Sequence, residues 1–146
     1  MKKVLIVDDE RAFLSILSEG LKNYEQDFRI ITAENGKDAV EVLKSQDIDL
    51  VVTDIKMPQM DGFELLGYLN TNHPRVPVML MTAFGTQEME EKGISMGARQ
   101  YLEKPFDVDT LVKKILAELK RELTDSRGGG AGGKQLLVLG WEQTSE

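Results

Sequence analysis

Cysteine is absent from the 146 residues, which excludes disulfide staples, thiolate metal sites and thiol nucleophiles and fits a reducing compartment. Histidine occurs once, as His73, which sits in a turn-like stretch. Basic residues are too few for a nucleic-acid binder: 18 Lys and Arg stand against 25 Asp and Glu, a formal charge of -7. Gripping a phosphate backbone needs clustered positive charge, and none is evident. Long apolar runs are missing too. Met1-Lys2-Lys3 imitates the start of a signal peptide, but the apolar stretch after it ends at Val7 before two aspartates. No stretch approaches the length that spans a bilayer. A soluble, cytoplasmic protein is expected, and no internal repeat is present.

The remaining composition is that of one ordinary domain, 41% hydrophobic and 29% charged. Short apolar runs rich in branched residues cover 4–7, 50–52 and 76–81, as strands buried on both faces do. Weaker strands are expected at 28–33 and 99–102. Between them apolar residues step by three and four: Phe13, Leu14, Leu17 and Leu21; Ala39, Val40 and Leu43; Phe63, Leu66 and Leu69. Further helices are expected at 87–96 and at about 108–123, the last capped by Asp107. Five strands alternating with five helices imply an α/β fold, a parallel sheet wrapped by helices. Ligands then bind beyond the carboxyl ends of the strands, where the strand order reverses.

The composition changes after Leu123. Residues 1–123 carry -6 of the charge and read as the domain, 124–133 as a Gly-rich linker, and 134–146 as a short apolar tail. That tail reads equally as the start of a truncated output region, a docking peptide or a cloning remnant.

The strand ends carry the chemistry. The first ends in Asp8-Asp9-Glu10 and the third in Asp54. Two like charges 4 Å apart repel by about 4 kcal/mol at an effective dielectric of about 20, so three gathered carboxylates call for a cation. Oxygen donors alone suit a hard ion such as Mg²⁺. The plainer reading, that Asp8 or Asp9 only caps the first helix, leaves the other and Asp54 unexplained. The fourth strand ends in Thr82-Ala83, offering a hydroxyl and backbone amides, and Lys104 follows the fifth with an ammonium. Together they make a site for a phosphoryl group, with Asp54 as the nucleophile that forms an acyl phosphate.

Four segments in order, Val4 to Glu10, Val52-Thr53-Asp54-Ile55-Lys56-Met57-Pro58-Gln59-Met60-Asp61-Gly62, Met81-Thr82-Ala83, and Gly97-Ala98 through Tyr101 to Lys104-Pro105-Phe106, resemble the receiver domain of bacterial two-component response regulators. The resemblance covers residues 1 to about 123 and implies the doubly wound, flavodoxin-like fold. It implies Asp54 as phosphoacceptor, and Asp8, Asp9, Asp54 and the Lys56 backbone carbonyl as holders of Mg²⁺. It further implies Thr82, the Ala83 amide and Lys104 as phosphate sensors, Tyr101 as a rotating aromatic, and a cis Lys104–Pro105 bond. A sensor histidine kinase or histidine phosphotransfer protein would be the donor. The fifth strand and last two helices would form the face that an output partner reads. Such a protein catalyses only its own phosphorylation and hydrolysis. Lys56 and Phe84, two residues beyond Asp54 and Thr82, would flank the attacking water and set the lifetime of the phosphoryl group.

Other readings fit less well. Phosphatases of the haloacid-dehalogenase type resemble D-x-D, and here Lys56 stands in the second position, where it cannot serve as that carboxylic acid. A flavin or nucleotide carrier needs a phosphate-friendly loop after the first strand, where Asp8-Asp9-Glu10 repels phosphate. An unphosphorylated scaffold on the same fold leaves the acid cluster without a purpose. Tyr101 also reads as a half-buried strand aromatic, and His73, a tempting phosphorelay donor, as a surface-turn residue in Asn70-Thr71-Asn72-His73-Pro74. Gly128 to Lys134 has the spacing of a phosphate loop, but Gln135 replaces the Ser or Thr and no strand precedes it.

Overall fold

The computed structural model describes residues 1–124, with side chains through Arg121. The tail and all of the linker after Thr124 lie outside the described residues, and Thr124 itself still belongs to the last helix. Five strands, β1 (Lys3–Val7), β2 (Arg29–Ala33), β3 (Leu50–Asp54), β4 (Val78–Thr82) and β5 (Gln100–Glu103), alternate with helices α1 (Arg11–Leu21), α2 (Gly36–Ser45), α3 (Gly62–Asn72), α4 (Gln87–Ser95) and α5 (Val108–Thr124). The sheet is parallel throughout, in the order β2-β1-β3-β4-β5. The expected α/β fold is therefore the observed one.

Side chains alternate across each strand, so the sheet feeds two cores. Val4, Ile6, Val52, Met79 and Met81 pack with Leu14, Leu17 and Leu21 of α1 and Leu111, Ile115 and Leu119 of α5. Leu5, Val7, Val51, Val78 and Leu80 face the other way, toward Ala39 and Leu43 of α2 and Leu65, Leu66 and Leu69 of α3. The central strands β3 and β4 are buried along their whole length, which explains their unbroken apolar runs.

Several boundaries differ from expectation. The fourth strand begins at Val78 rather than 76, because Pro77 has no N–H for the ladder and contributes only its carbonyl, to Val51. The fifth is shifted one residue, to Gln100–Glu103. Asn70 to Asn72 are not a turn but the last turn of α3. Asn72 donates its side-chain amide to the Tyr68 carbonyl, and His73 closes the helix through its backbone bond to Leu69. Because α3 starts beyond the carboxyl end of β3 and runs back along the sheet, His73 lies at the far end from the acid cluster.

Caps set the helix starts. Asn35 caps α2, Asp61 and Glu64 form a capping box on α3, and Thr86 caps α4. Asp107 accepts from the Thr110 amide at 2.8 Å, as expected, and those bonds hold its carboxyl below the usual range. Helix α1 differs: Glu10 precedes it without a side-chain cap bond. No described helix is long and apolar enough to cross a membrane.

Candidate functional site

The strand order reverses between β1 and β3, and their carboxyl ends bring Asp8, Asp9 and Asp54 together. Each offers a carboxylate oxygen, and the three lie within 4.8 Å of one another. Asp8 is fully buried and Asp54 nearly so, while Asp9 is exposed. Asp8 is not a helix cap in the ordinary sense: its Oδ1 accepts the Glu10 amide at 2.9 Å, before α1 begins. Three convergent oxygens with no nitrogen or sulfur donor fit a hard divalent cation.

Local structure fixes Asp54 tightly. Its Oδ1 accepts the Ile55 amide at 3.0 Å, and the Thr53 hydroxyl donates to its carbonyl at 2.9 Å. The start of α3 presses directly on this strand end, with the Gly62 amide bonded to the Ile55 carbonyl at 2.7 Å. Only glycine permits this approach, because a Cβ at position 62 would run into the Asp54 carbonyl. Between them Gln59 takes a left-handed conformation, φ 69°, which an L side chain adopts at a cost. Burial is the main reason the Asp54 carboxyl is pushed up to about 6, with the Asp8 charge adding to it; Lys104 and the Ile55 amide pull the other way.

Lys104 enters from the end of β5. Its backbone N–H bonds the Thr82 carbonyl at 2.8 Å, tying the fourth and fifth strand ends together. Its ammonium lies 2.6 Å from Asp8 Oδ2, 3.6 Å from Glu10 Oε1 and 3.8 Å from Asp54 Oδ2. Burial alone would lower the pKa of this amine; the Asp8 hydrogen bond and the charges of Asp54, Asp8 and Glu10 more than offset that and raise it. The Lys104–Pro105 peptide is cis.

Thr82 is buried at the end of β4, and its Oγ1 accepts the Phe84 amide at 3.3 Å. Ala83 is exposed at the rim. Tyr101 points inward: its hydroxyl and the Thr82 methyl both crowd the space beside Gly85, where a Cβ would overlap the hydroxyl. That hydroxyl is buried with no hydrogen-bond partner among the described residues. Burial raises its pKa, with smaller contributions from Glu103 and Glu90. The two residues expected to set the phosphoryl lifetime both lie largely in solvent. Phe84 is 77% exposed, and Lys56 is exposed as well.

Sequence reasoning reached the acids, Thr82 and Lys104 through the strand ends. It gave no role to Gly62, present only within a matching segment, and did not single out Gly85; both roles depend on which backbone or ring arrives opposite them. Phe13, assigned to the core by its helical spacing, also reaches the site: its ring lies under the Lys104 ammonium, 4.1 Å from Nζ to the centroid.

Comparison with known proteins identifies the family of this fold. Residues 4–116 match the response regulator receiver domain family, and the chain belongs to that family. It is 35% identical over 142 residues to the response regulator protein FleR of Pseudomonas aeruginosa, covering 94% of this chain and 30% of FleR. With the transcriptional regulatory protein CpxR of Escherichia coli it shares 38% over 121 residues, 83% of this chain and 50% of CpxR. The chain thus spans half or less of these two relatives. Its fold is similar to a CheY-like receiver domain protein from Methanospirillum hungatei, with a TM-score of 0.78 and 26% identity over 85% of this chain and 98% of that one. It is a receiver domain of a two-component response regulator.

Proposed function

We propose that Asp54 accepts a phosphoryl group from the phosphohistidine of a sensor kinase or a histidine phosphotransfer protein, and that the acyl phosphate switches the surface of the domain. The observation that carries this reading is the convergence of Asp8, Asp9 and Asp54 with the Lys104 ammonium beyond the strand ends. An Asp54 oxygen attacks phosphorus, the P–N bond to the donor imidazole breaks, and the departing ring is left to take a proton from solvent. Asp8, Asp9, Asp54 and the Lys56 carbonyl would hold Mg²⁺, which would neutralise charge on the transferring group. Lys104 offers its ammonium to one phosphoryl oxygen, and the Thr82 hydroxyl and Ala83 amide are donors for others. The chain acts on itself alone, catalysing its own phosphorylation and its hydrolysis.

The switch follows from the packing beside Thr82. Drawing the Thr82 hydroxyl toward a phosphoryl oxygen shifts the loop that carries Gly85, and Gly85 lines the space that Tyr101 occupies. The face of α4, β5 and α5 then changes, and a partner reads the difference. The negative charge suits a chain that acts through an output partner and does not itself bind nucleic acid, in the cytoplasm where a kinase supplies phosphohistidine.

Incubation with acetyl phosphate and Mg²⁺ should raise the intact mass by one phosphoryl group, and Asp54→Asn should abolish the gain. Thr82→Ala should still be labelled but should lose the difference in partner binding between the two states. Equal labelling of parent and Asp54→Asn would overturn the assignment.

A further inference from the structure

We infer that Phe13 is a positioning residue for Lys104, holding the ammonium by its ring face so that the cation can meet a phosphoryl oxygen on Asp54. The inference rests on the reading of Asp54 as acceptor and extends it to a residue that offers no polar atom.

Four observations converge. The Lys104 side chain is only 9% exposed, so its ammonium has little water to solvate it. Asp8 Oδ2 takes one of its three N–H donors at 2.6 Å, whereas Glu10 and Asp54 stand at 3.6 and 3.8 Å, beyond good hydrogen-bond distance. The Phe13 centroid lies 4.1 Å from Nζ, well inside the range of a cation–π contact. Phe13 is itself fixed by a perpendicular contact with Phe106, with centroids 6.1 Å apart and planes at 87°. Phe13 sits in the first turn of α1 and Phe106 two residues beyond Lys104, so the ring pair joins the β1 and β5 ends of the site.

The chemistry explains why a ring serves here better than another acid. A further carboxylate would hydrogen-bond the ammonium and compete with the phosphoryl oxygens for its remaining donors. A ring face attracts the cation electrostatically without accepting a conventional hydrogen bond. It therefore offsets part of the cost of burial while leaving those donors available, and from below it limits the directions in which the ammonium can move. Phe13 carries no group that could bond the acceptor or the donor; it acts through Lys104.

The test replaces Phe13 with phenylalanines carrying one, two and three ring fluorines, which keep the shape and progressively weaken the negative face. Phe13→Leu is the full deletion of the ring. With acetyl phosphate and saturating Mg²⁺, the maximal rate of Asp54 phosphorylation should fall stepwise along the fluorinated series, by about three- to tenfold in total. The half-saturating donor concentration, urea midpoint and Mg²⁺ affinity should change little. By NMR, the Lys104 ε-methylene protons should be shifted upfield by the ring in the parent and return toward ordinary values in Phe13→Leu. A rate that stays flat across the fluorinated series, or Lys104 resonances unmoved by Phe13→Leu, would overturn the role. The two readings fail differently. A parent that takes no phosphoryl group at Asp54 overturns the acceptor assignment and the rate effect together, while the Lys104 shift still reports the contact. A labelled parent with a flat series overturns the role of Phe13 alone.

Discussion

Asp8 and Glu118 are both fully buried, yet the charges that enclose them are of opposite kinds. Beyond the strand ends, one ammonium, that of Lys104, meets the carboxylates of Asp8, Glu10 and Asp54, with Asp9 adding a further acid. Between β5 and α5 the proportion is reversed. There Glu118 meets the guanidiniums of Arg99 at 3.4 Å and Arg121 at 3.5 Å, and the Gln100 amide donates to it at 2.9 Å. Both clusters remove charge from water, which is costly unless the partners compensate. Around Glu118 the opposite charge is supplied by the chain itself, and the cluster docks α5 on β5. At the strand ends negative charge is left crowded, and the Asp8 charge adds to the burial that raises the pKa of Asp54. A cluster short of positive charge has use for a cation.

Breaking the Glu118 cluster should have the largest effect on stability. Glu118→Ala leaves buried cationic groups without their carboxylate and should lower the unfolding free energy by about 3 kcal/mol. Urea denaturation measures this, and a loss well under 1 kcal/mol would mean that solvent already screens the cluster. At the strand ends the same kind of deletion should act with the opposite sign. The Asp54 carboxyl has a folded pKa of about 6 against an ordinary value of 3.8. Its contribution to stability is therefore fully present below about pH 4 and is lost as the pH rises through 6. Asp54→Asn should thus be the more stable protein at pH 7.5 without divalent metal, by about 1–2 kcal/mol once solvent screening is allowed for. The gain should vanish near pH 4. Denaturation at the two pH values decides it, and a mutant less stable than the parent at pH 7.5 would contradict the crowding argument.

A smaller effect is expected at the rim. Lys56→Asn combined with Phe84→Glu offers two water-orienting side chains at the rim and should speed decay of the proposed acyl phosphate about tenfold, equivalent to about 1.4 kcal/mol of barrier. Since Phe84 is largely in solvent, it must fold down over the site if it is to shield the phosphoryl group. Equal decay of parent and double mutant, after removal of the donor, would leave the lifetime to the groups around Asp54 itself.

The difference between the two clusters also marks how far the sequence could be read. Asp8, Asp9 and Asp54 were legible because unbroken apolar runs announce buried parallel strands, and such strands place their next residues in a common crevice. Glu118 gave no such signal. A charge on an amphipathic helix reads as solvated until Arg99 and Gln100 are seen to arrive at the start of a strand whose limits were themselves misplaced by one residue. Phe13 was read correctly as facing inward, but helical spacing carries no information about the lysine 91 positions later that covers its ring. Gly85 is similar: its lack of a side chain acquires meaning only when Tyr101 turns toward it. Asn70 to Asn72 show the reverse failure, where composition argued for a turn and the helix bonds at Asn72 and His73 prevailed.

The central claim is that the strand-end cluster makes Asp54, and none of its neighbouring acids, the phosphoryl acceptor. Borohydride reduces an aspartyl phosphate to homoserine and so marks the acceptor permanently. After incubation with acetyl phosphate and Mg²⁺, reduction and digestion, peptide mass spectrometry should find homoserine at position 54 and aspartate retained at positions 8 and 9. Homoserine at 8 or 9, or none anywhere in a protein that binds Mg²⁺ and is folded, would contradict the account.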